Sequence, residues 1–175
     1  MASIVSTPRP VPARAAGRPR GFRLRGRAHK LVLTAHILGS VGWFGIAVFV
    51  LFAFVVSEAT GDRALATGML RTIETIPWLS IPVGAAAVAT GVVLSLGTKW
   101  GLVRHWWVVA KILIAIVVIV TDALVISAAA HDHLVHATAP GDLYGPTIAH
   151  TVVLGAATLL SVLKPRGRTP WGRDR

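Results

Sequence analysis

The sequence contains no cysteine, two methionines and only seven acidic residues in 175. Without cysteine, disulfide bonds, thiolate metal sites and thiol catalysis are excluded. The scarcity of methionine argues against a methionine-rich site for Cu(I). Charged residues of both signs make up 14% of the chain, whereas a soluble domain carries about 25%. These shortages indicate that the protein is not a water-soluble domain.

Long apolar runs take the place of the missing charge. Four runs stand out, at residues 31–56, 77–96, 106–130 and 146–163. Each is long enough, as a helix, to cross the roughly 30 Å hydrocarbon core of a bilayer. We therefore predict an all-α protein whose residues 31–163 form a four-helix transmembrane bundle. Residues 64–76 either extend the second helix or lie on the membrane surface.

Basic residues are concentrated beside one end of the predicted helices. Residues 1–30 and 97–105 contain lysine and arginine but no acidic residue, and residues 164–175 are also strongly basic. Lysine and arginine near spans stay on the cytoplasmic side, so we predict two cytoplasmic tails, 1–30 (disordered) and 164–175. A basic tail also suits nucleic acid, but this distribution favours membrane lipid as the partner, and no nucleic-acid partner is expected.

Small residues at helical spacing predict which faces of the helices meet, because small side chains let helix backbones approach closely in a membrane. Such residues recur on the first, second and fourth helices: Ala35, Gly39, Gly42 and Gly45; Ala87, Gly91 and Ser95; Thr151 and Gly155. Pro82 is expected to kink the second helix. These rows predict packing and carry no information about chemistry.

Four ionisable residues lie inside the apolar runs, where each needs a partner. By helical rise they form two layers. His36 and Lys111 lie toward the cytoplasmic side, with His105 at the interface. Asp122 and His150 lie toward the outer side.

The inner layer has two interpretations. In the first, Lys111 reaches toward the headgroups and His36 bonds a neighbouring carbonyl or hydroxyl group, such as that of Thr90. In the second, His36 is an axial haem ligand or a metal ligand, and Trp43, on the same helix face near the bilayer centre, lines the cavity.

The outer layer adds the histidines of HDHLVH, which are His131, His133 and His136. If the helix continues through this stretch, His133 and His136 share a face. If the chain is extended, His131 and His133 do. Either pair, with His150, suits copper, zinc or haem iron, with Asp122 orienting a ligating imidazole. Alternatively, the stretch is a hydrated loop without a bound ion, or Asp122 pairs only with His150 and forms a proton-sensitive lock.

Two stretches resemble a known group of proteins. They are HILGSVGWFG in the first helix and TGVVLSLGTKWGLVRHWWVVAKI across the second and third. They are similar to small four-helix bacterial integral membrane proteins of uncharacterised function, themselves distantly similar to the copper-resistance protein D group. The resemblance covers about residues 31–163. The pattern residues are His36, Trp43, Gly91, Trp107 and Lys111.

The resemblance implies a multi-pass protein of the bacterial cytoplasmic membrane, with intramembrane histidines that handle copper or, by analogy with small b-type cytochromes, bind haem b. We therefore predict a metal or haem held between helices for electron transfer or metal handling. The alternative is a non-catalytic accessory or scaffold subunit that forms a homo-oligomer or joins a larger membrane complex. The sequence has no phosphate loop, nucleophile elbow or zincin helix, which disfavours an enzyme.

Overall fold

The computed structural model of the protein describes residues 23–98, 102, 104–136, 141–163, 167, 169 and 170. Most of the two predicted basic tails, 1–30 and 164–175, lies outside the described residues. Within the described ranges the helices follow in the order α1 Gly26–Ala59, α2 Arg63–Thr75, α3 Pro77–Gly97, α4 Trp106–Thr121, the π-helix Asp122–Ile126, α5 Ser127–His136 and α6 Gly141–Leu163.

Four helical stretches in the described part of the chain are long and apolar enough to cross a membrane. They are α1, α2 with α3, α4 through α5, and α6 from Tyr144. This confirms the all-α, four-helix membrane architecture. Only Ile76 separates α2 from α3, and its backbone N–H bonds the Thr72 carbonyl at 2.9 Å, so residues 64–76 extend the second span.

Three of the four spans are longer than a bilayer requires. They contain 34, 35 and 31 residues, or roughly 46–52 Å of helix against a core of about 30 Å. Tyr144–Leu163 has 20 residues and is just long enough. We call the end of the bundle that holds Gly26, Gly97 and Leu163 the terminal end, and the opposite end the distal end.

Backbone hydrogen bonds join the chain segments at the terminal end. The Leu24 N–H donates to the Gly97 carbonyl at 3.1 Å, and the Thr169 N–H donates to the Arg104 carbonyl at 3.0 Å. The segment before α1 therefore lies against the end of α3, and the segment after α6 lies against the start of α4. The terminal end of the bundle therefore holds the first residues of spans one and three and the last residues of spans two and four.

The α1 and α3 helices pack through the small residues of α3. A Cβ atom built on Gly84 would lie 2.7 Å from the Trp43 ring, and one on Gly91 would lie 3.0 Å from the His36 ring. Between them, Gly39 faces Ala87, where a Cβ would lie 3.4 Å from the alanine Cβ. The contact face thus includes two members of the predicted row, Ala87 and Gly91, and continues through Gly84 one turn earlier.

The excess helix length forms a three-helix distal extension, made of the last turns of α1 together with α2 and α5. The Asp62 carboxylate starts α2 by accepting from the Ala64 N–H at 2.8 Å, as an N-cap does. The apolar face of α2 packs on the other two helices. The shared core contains Val50, Ala53, Phe54, Leu70, Ile73, Ile126 and Ala130. This packing also explains why the third span does not end at residue 130 as predicted, but continues as helix to His136.

Candidate functional site

Three polar side chains from three separate helical segments meet inside the bundle. The Ser80 hydroxyl of α3 donates to Oδ2 of Asp122, the first residue of the π-helix. Nε2 of His150, on α6, lies 3.4 Å from Oδ1 of the same carboxyl and 3.1 Å from the Val118 carbonyl oxygen. We call Ser80, Asp122 and His150 the polar centre. All three residues are buried, with at most 9% of their surface exposed.

The polar centre lies within the membrane-crossing part of the bundle. By helical rise, Ser80 is about 26 Å from the terminal end of α3, Asp122 about 24 Å from that of α4 and His150 about 20 Å from that of α6. These distances place the cluster in the distal half of a core of about 30 Å. An ionisable group at this depth is costly unless it is paired, and here Asp122 and His150 are paired with each other.

The π-helix positions the carboxyl group. It spans Asp122–Ile126 and interrupts the third span between α4 and α5. Such one-turn π segments widen the helix locally and are frequent at functional sites. At its start the Val118 carbonyl accepts the backbone N–H of Asp122 and also faces His150 Nε2. The irregular turn therefore directs both its first side chain and a backbone acceptor toward α6.

Apolar residues close the polar centre on both sides. Toward the terminal end lie Ala87, Ala115, Val118 and Leu154, which form one buried cluster with Trp43 and Ala47. Toward the distal end lies the core shared with the distal extension. Between them is a small cavity, in which the centre of a water molecule has about 10 Å³ of space. Asp122 and His150 are the two titratable residues that line it.

The order of the hydrogen bonds argues against a hydrolase. In a catalytic serine triad the histidine contacts the serine hydroxyl and removes its proton, and the carboxylate orients the histidine. Here the carboxyl group lies between the other two, because Ser80 donates to Asp122 and not to His150. The arrangement can hold and share a proton, but it does not activate the serine oxygen.

The predicted inner layer is made of separate pairwise contacts. Nδ1 of His36 lies 2.9 Å from the Ala87 carbonyl oxygen and 3.3 Å from the Thr90 hydroxyl oxygen, which is the first of its two interpretations. The Lys111 ammonium donates to the Ser161 hydroxyl. His105 precedes α4, with its ring 6.4 Å from the Trp107 ring. In the described part of the chain, His36 and Lys111 therefore have different partners.

The histidines of HDHLVH lie on α5 and pair with separate acids. Nδ1 of His131 lies 2.7 Å from a Glu74 oxygen, and Nε2 of His133 lies 3.9 Å from a Glu58 oxygen. His136 pairs with Asp132 of its own helix at 2.9 Å. The stretch is therefore helical, which is the first of the two alternatives. His133 and His136 do not converge, because His133 faces Glu58 of α1 and His136 is exposed.

The described residues do not assemble a metal site with three or more side-chain ligands. Among them, no three histidine, aspartate or glutamate side chains are grouped so that they could hold one ion. The cavity at the polar centre, about 10 Å³, is also far smaller than the roughly 300 Å³ or more of a cofactor pocket. The packed residues of the polar centre therefore do not fit a haem.

Sequence reasoning missed several partners. Ser80 was not singled out, although it lies one turn from Gly84 on the helix face that packs against α1. Nor does the sequence pattern indicate Glu58 and Glu74 as partners of the α5 histidines, or Ser161 as the partner of Lys111. A small polar residue in register with a row of glycine and alanine is the signal that indicates Ser80.

Comparison of the chain with known protein families, with curated proteins and with solved structures finds no match. The functional interpretation therefore depends on the geometry of the side chains.

Proposed function

We propose that this protein is a proton-responsive membrane protein, and that the Asp122–His150 pair is the proton-binding site through which it responds. One observation carries the proposal: a single buried carboxyl group joins α3, the π-helix and α6 through Ser80 and His150. Ionisable residues inside a membrane protein that face the bundle interior are typically functional, and proton binding is a common role for them.

The physical basis is the cost of net charge in the bundle interior. With one shared proton the pair is neutral overall, either as two neutral groups or as an ion pair. Loss of that proton, or gain of a second, leaves a net charge among apolar residues, which is expensive. Proton binding is therefore linked to helix packing, so the closed bundle is favoured when the pair holds one proton. Either change in protonation favours a hydrated, more open arrangement.

The apolar clusters on both sides of the polar centre support a switch rather than a proton channel. A conducting path needs polar groups that continue toward both membrane surfaces. Between the pair and the contacts of His36 and Lys111, the buried side chains in the described part of the chain are instead apolar: Ala87, Ala115, Val118 and Leu154. A site enclosed in this way binds a proton and transmits the effect through the helices that contact it.

Distance measurements between spin labels test the proposal. The chain lacks cysteine, so Leu79→Cys on α3 and Ile148→Cys on α6 give two labels without background, at side chains that are about half exposed. We expect one interlabel distance in the pH range where the pair holds one proton, and a second, longer distance at lower and higher pH. The titration is made in lipid nanodiscs.

Two variants provide the controls. The double variant Asp122→Asn, His150→Gln keeps polar side chains but cannot titrate as a pair, and the pH dependence of the distance should disappear. The matched variant His131→Gln, His133→Gln changes two histidines of α5 outside the polar centre and should retain it. A pH dependence that survives the first change, or is abolished by the second, contradicts the proposal.

We also propose that both termini are cytoplasmic, in the cytoplasmic membrane of a bacterium. The basic composition of residues 1–30, 97–105 and 164–175 supports this orientation. Labelling Ala28→Cys and Gly61→Cys with an impermeant thiol reagent tests it in intact cells. The second position should react and the first should not.

Haem b or copper between the helices stays a prediction, and so does a homo-oligomer or a larger membrane complex. The two-residue pairs His131–Glu74 and His133–Glu58 contain ligand types that transition metals accept. Nδ1 of His133 is buried without a hydrogen-bond partner in the described part of the chain. An absorption spectrum and elemental analysis of the purified protein test this prediction. A bound cofactor that is lost in His36→Ala or His150→Ala would support it.

A further inference from the structure

The indole N–H of Trp43 is a buried hydrogen-bond donor in the centre of the bundle. The residue is 5% exposed, and its ring is held tightly against Gly84 of α3. Among the described residues, Nε1 has no hydrogen-bond acceptor. A buried tryptophan N–H usually has a partner, and a buried donor without one costs about 1–3 kcal/mol. The indole group therefore indicates a partner other than an atom of the described residues.

The small cavity beside the polar centre has the properties that such a partner requires. Trp43 lines it together with polar residues from the other helices, Ser80, Asp122, Thr147 and His150. The centre of a water molecule has about 10 Å³ of space there, so the cavity has room for at least one water, which itself occupies roughly 10–15 Å³. A buried water needs two to four polar partners, and the lining supplies them.

We propose that one water molecule is bound in this cavity, where it accepts a hydrogen bond from Trp43 Nε1 and donates one to the Asp122 carboxyl group. The water gives the carboxyl group a third donor beside Ser80 and His150. It also extends the polar centre to α1, so that all four spans share one hydrogen-bonded cluster. A metal cation fits the site less well, because the indole N–H would point its positive end at the ion.

This inference deepens the proposed function, since it adds a member to the proton-binding site, but the water site itself does not depend on proton binding. The two can therefore fail separately. The water is tested at one fixed pH, whereas the switch is tested by the change of interlabel distance with pH.

Nuclear magnetic resonance of the tryptophan indole groups tests the water directly. The chain has six tryptophans, so ¹⁵N labelling of the indole nitrogens gives six N–H signals in nanodiscs, and Trp43→Phe assigns the relevant one. We expect the Trp43 indole proton to show a nuclear Overhauser effect to water while it remains protected from exchange with D₂O. This measurement is made on the unaltered protein, so it does not depend on whether a variant folds.

The variant Asp122→Leu removes the proposed acceptor with little change in volume. We expect the water contact of Trp43 to be lost, while the other five indole signals report that the bundle remains folded. The matched variant Asp132→Leu, at an exposed acid of α5, should leave the contact unchanged. A Trp43 indole proton without a water contact in the unaltered protein overturns the inference. So does one that exchanges rapidly with D₂O, because the water would then not be a resident one.

Discussion

The polar residues at the terminal end and those of the polar centre differ in how they are satisfied. At the terminal end, His36 bonds a backbone carbonyl of α3 and Lys111 bonds a single serine of α6. At the polar centre, one carboxyl group serves two side chains from two other helices. Both sets lie in apolar helices, but only the second forms a shared cluster.

This difference indicates that an ionisable residue in a membrane helix is not by itself a functional site. Lys111 is near enough to the terminal end, about 8 Å along α4 from its first residue, for its ammonium group to reach polar surroundings. Asp122 lies much deeper and depends on its protein partners. Removing one partner should therefore be tolerated at the terminal end and costly at the polar centre.

The largest expected effect is the loss of the His150 imidazole. We expect His150→Ala to lower the free energy of unfolding in lipid bicelles by about 3–5 kcal/mol, because it leaves the Asp122 carboxyl group buried without its partner. Lys111→Met, which keeps the side-chain length and removes the charge, should change it by less than about 1 kcal/mol. Equal losses in the two variants would remove the distinction between the two regions.

A smaller effect is expected from the glycine that accommodates Trp43. In Gly84→Ala the new methyl group would lie 2.7 Å from the indole ring, so the rigid ring must move. We expect a loss of about 1–3 kcal/mol and a change in Trp43 fluorescence. Gly45→Ala is the matched control, because no atom lies within 4 Å of its Cβ position. The free energy of unfolding of Gly45→Ala should be unchanged or higher by up to about 1 kcal/mol. A Gly84→Ala variant as stable as the unaltered protein would contradict the packing of Trp43 against Gly84.

The smallest effect is expected from the hydroxyl group of Ser80. Ser80→Ala removes one donor to Asp122 and leaves the contact with His150 in place. Hydrogen bonds between membrane helices contribute on average about 0.6 kcal/mol and at most about 1.7 kcal/mol, and the loss of unfolding free energy should fall in that range. Ser161→Ala at the terminal end should cost less, because Lys111 can then bond water or a headgroup. The reverse order would mean that Ser80 does not support the carboxyl group.

The sequence predicted the spans well because apolar length is a local property. It also predicted that His36 and Trp43 share a face of α1, which follows from helical spacing alone. It offered the Asp122–His150 pair as one alternative, since helical rise puts both at a similar depth, and the structure has this contact. It could not predict that Ser80 joins them, because that contact depends on the register between three helices. The π-helix that turns Asp122 toward α6 has no sequence signature, and the helical course of HDHLVH depends on packing against α1 and α2.

Infrared difference spectroscopy of the protonation of Asp122 tests the central claim most directly. The protein is titrated in lipid with ¹³C-labelled aspartate, and the carboxyl C=O and carboxylate bands are followed with pH. We expect a pH-dependent aspartate band that is absent in Asp122→Asn, is shifted in its titration by His150→Gln, and is unchanged in Asp132→Asn. A spectrum in which Asp122→Asn removes no titrating band would contradict the claim that the buried pair binds the proton.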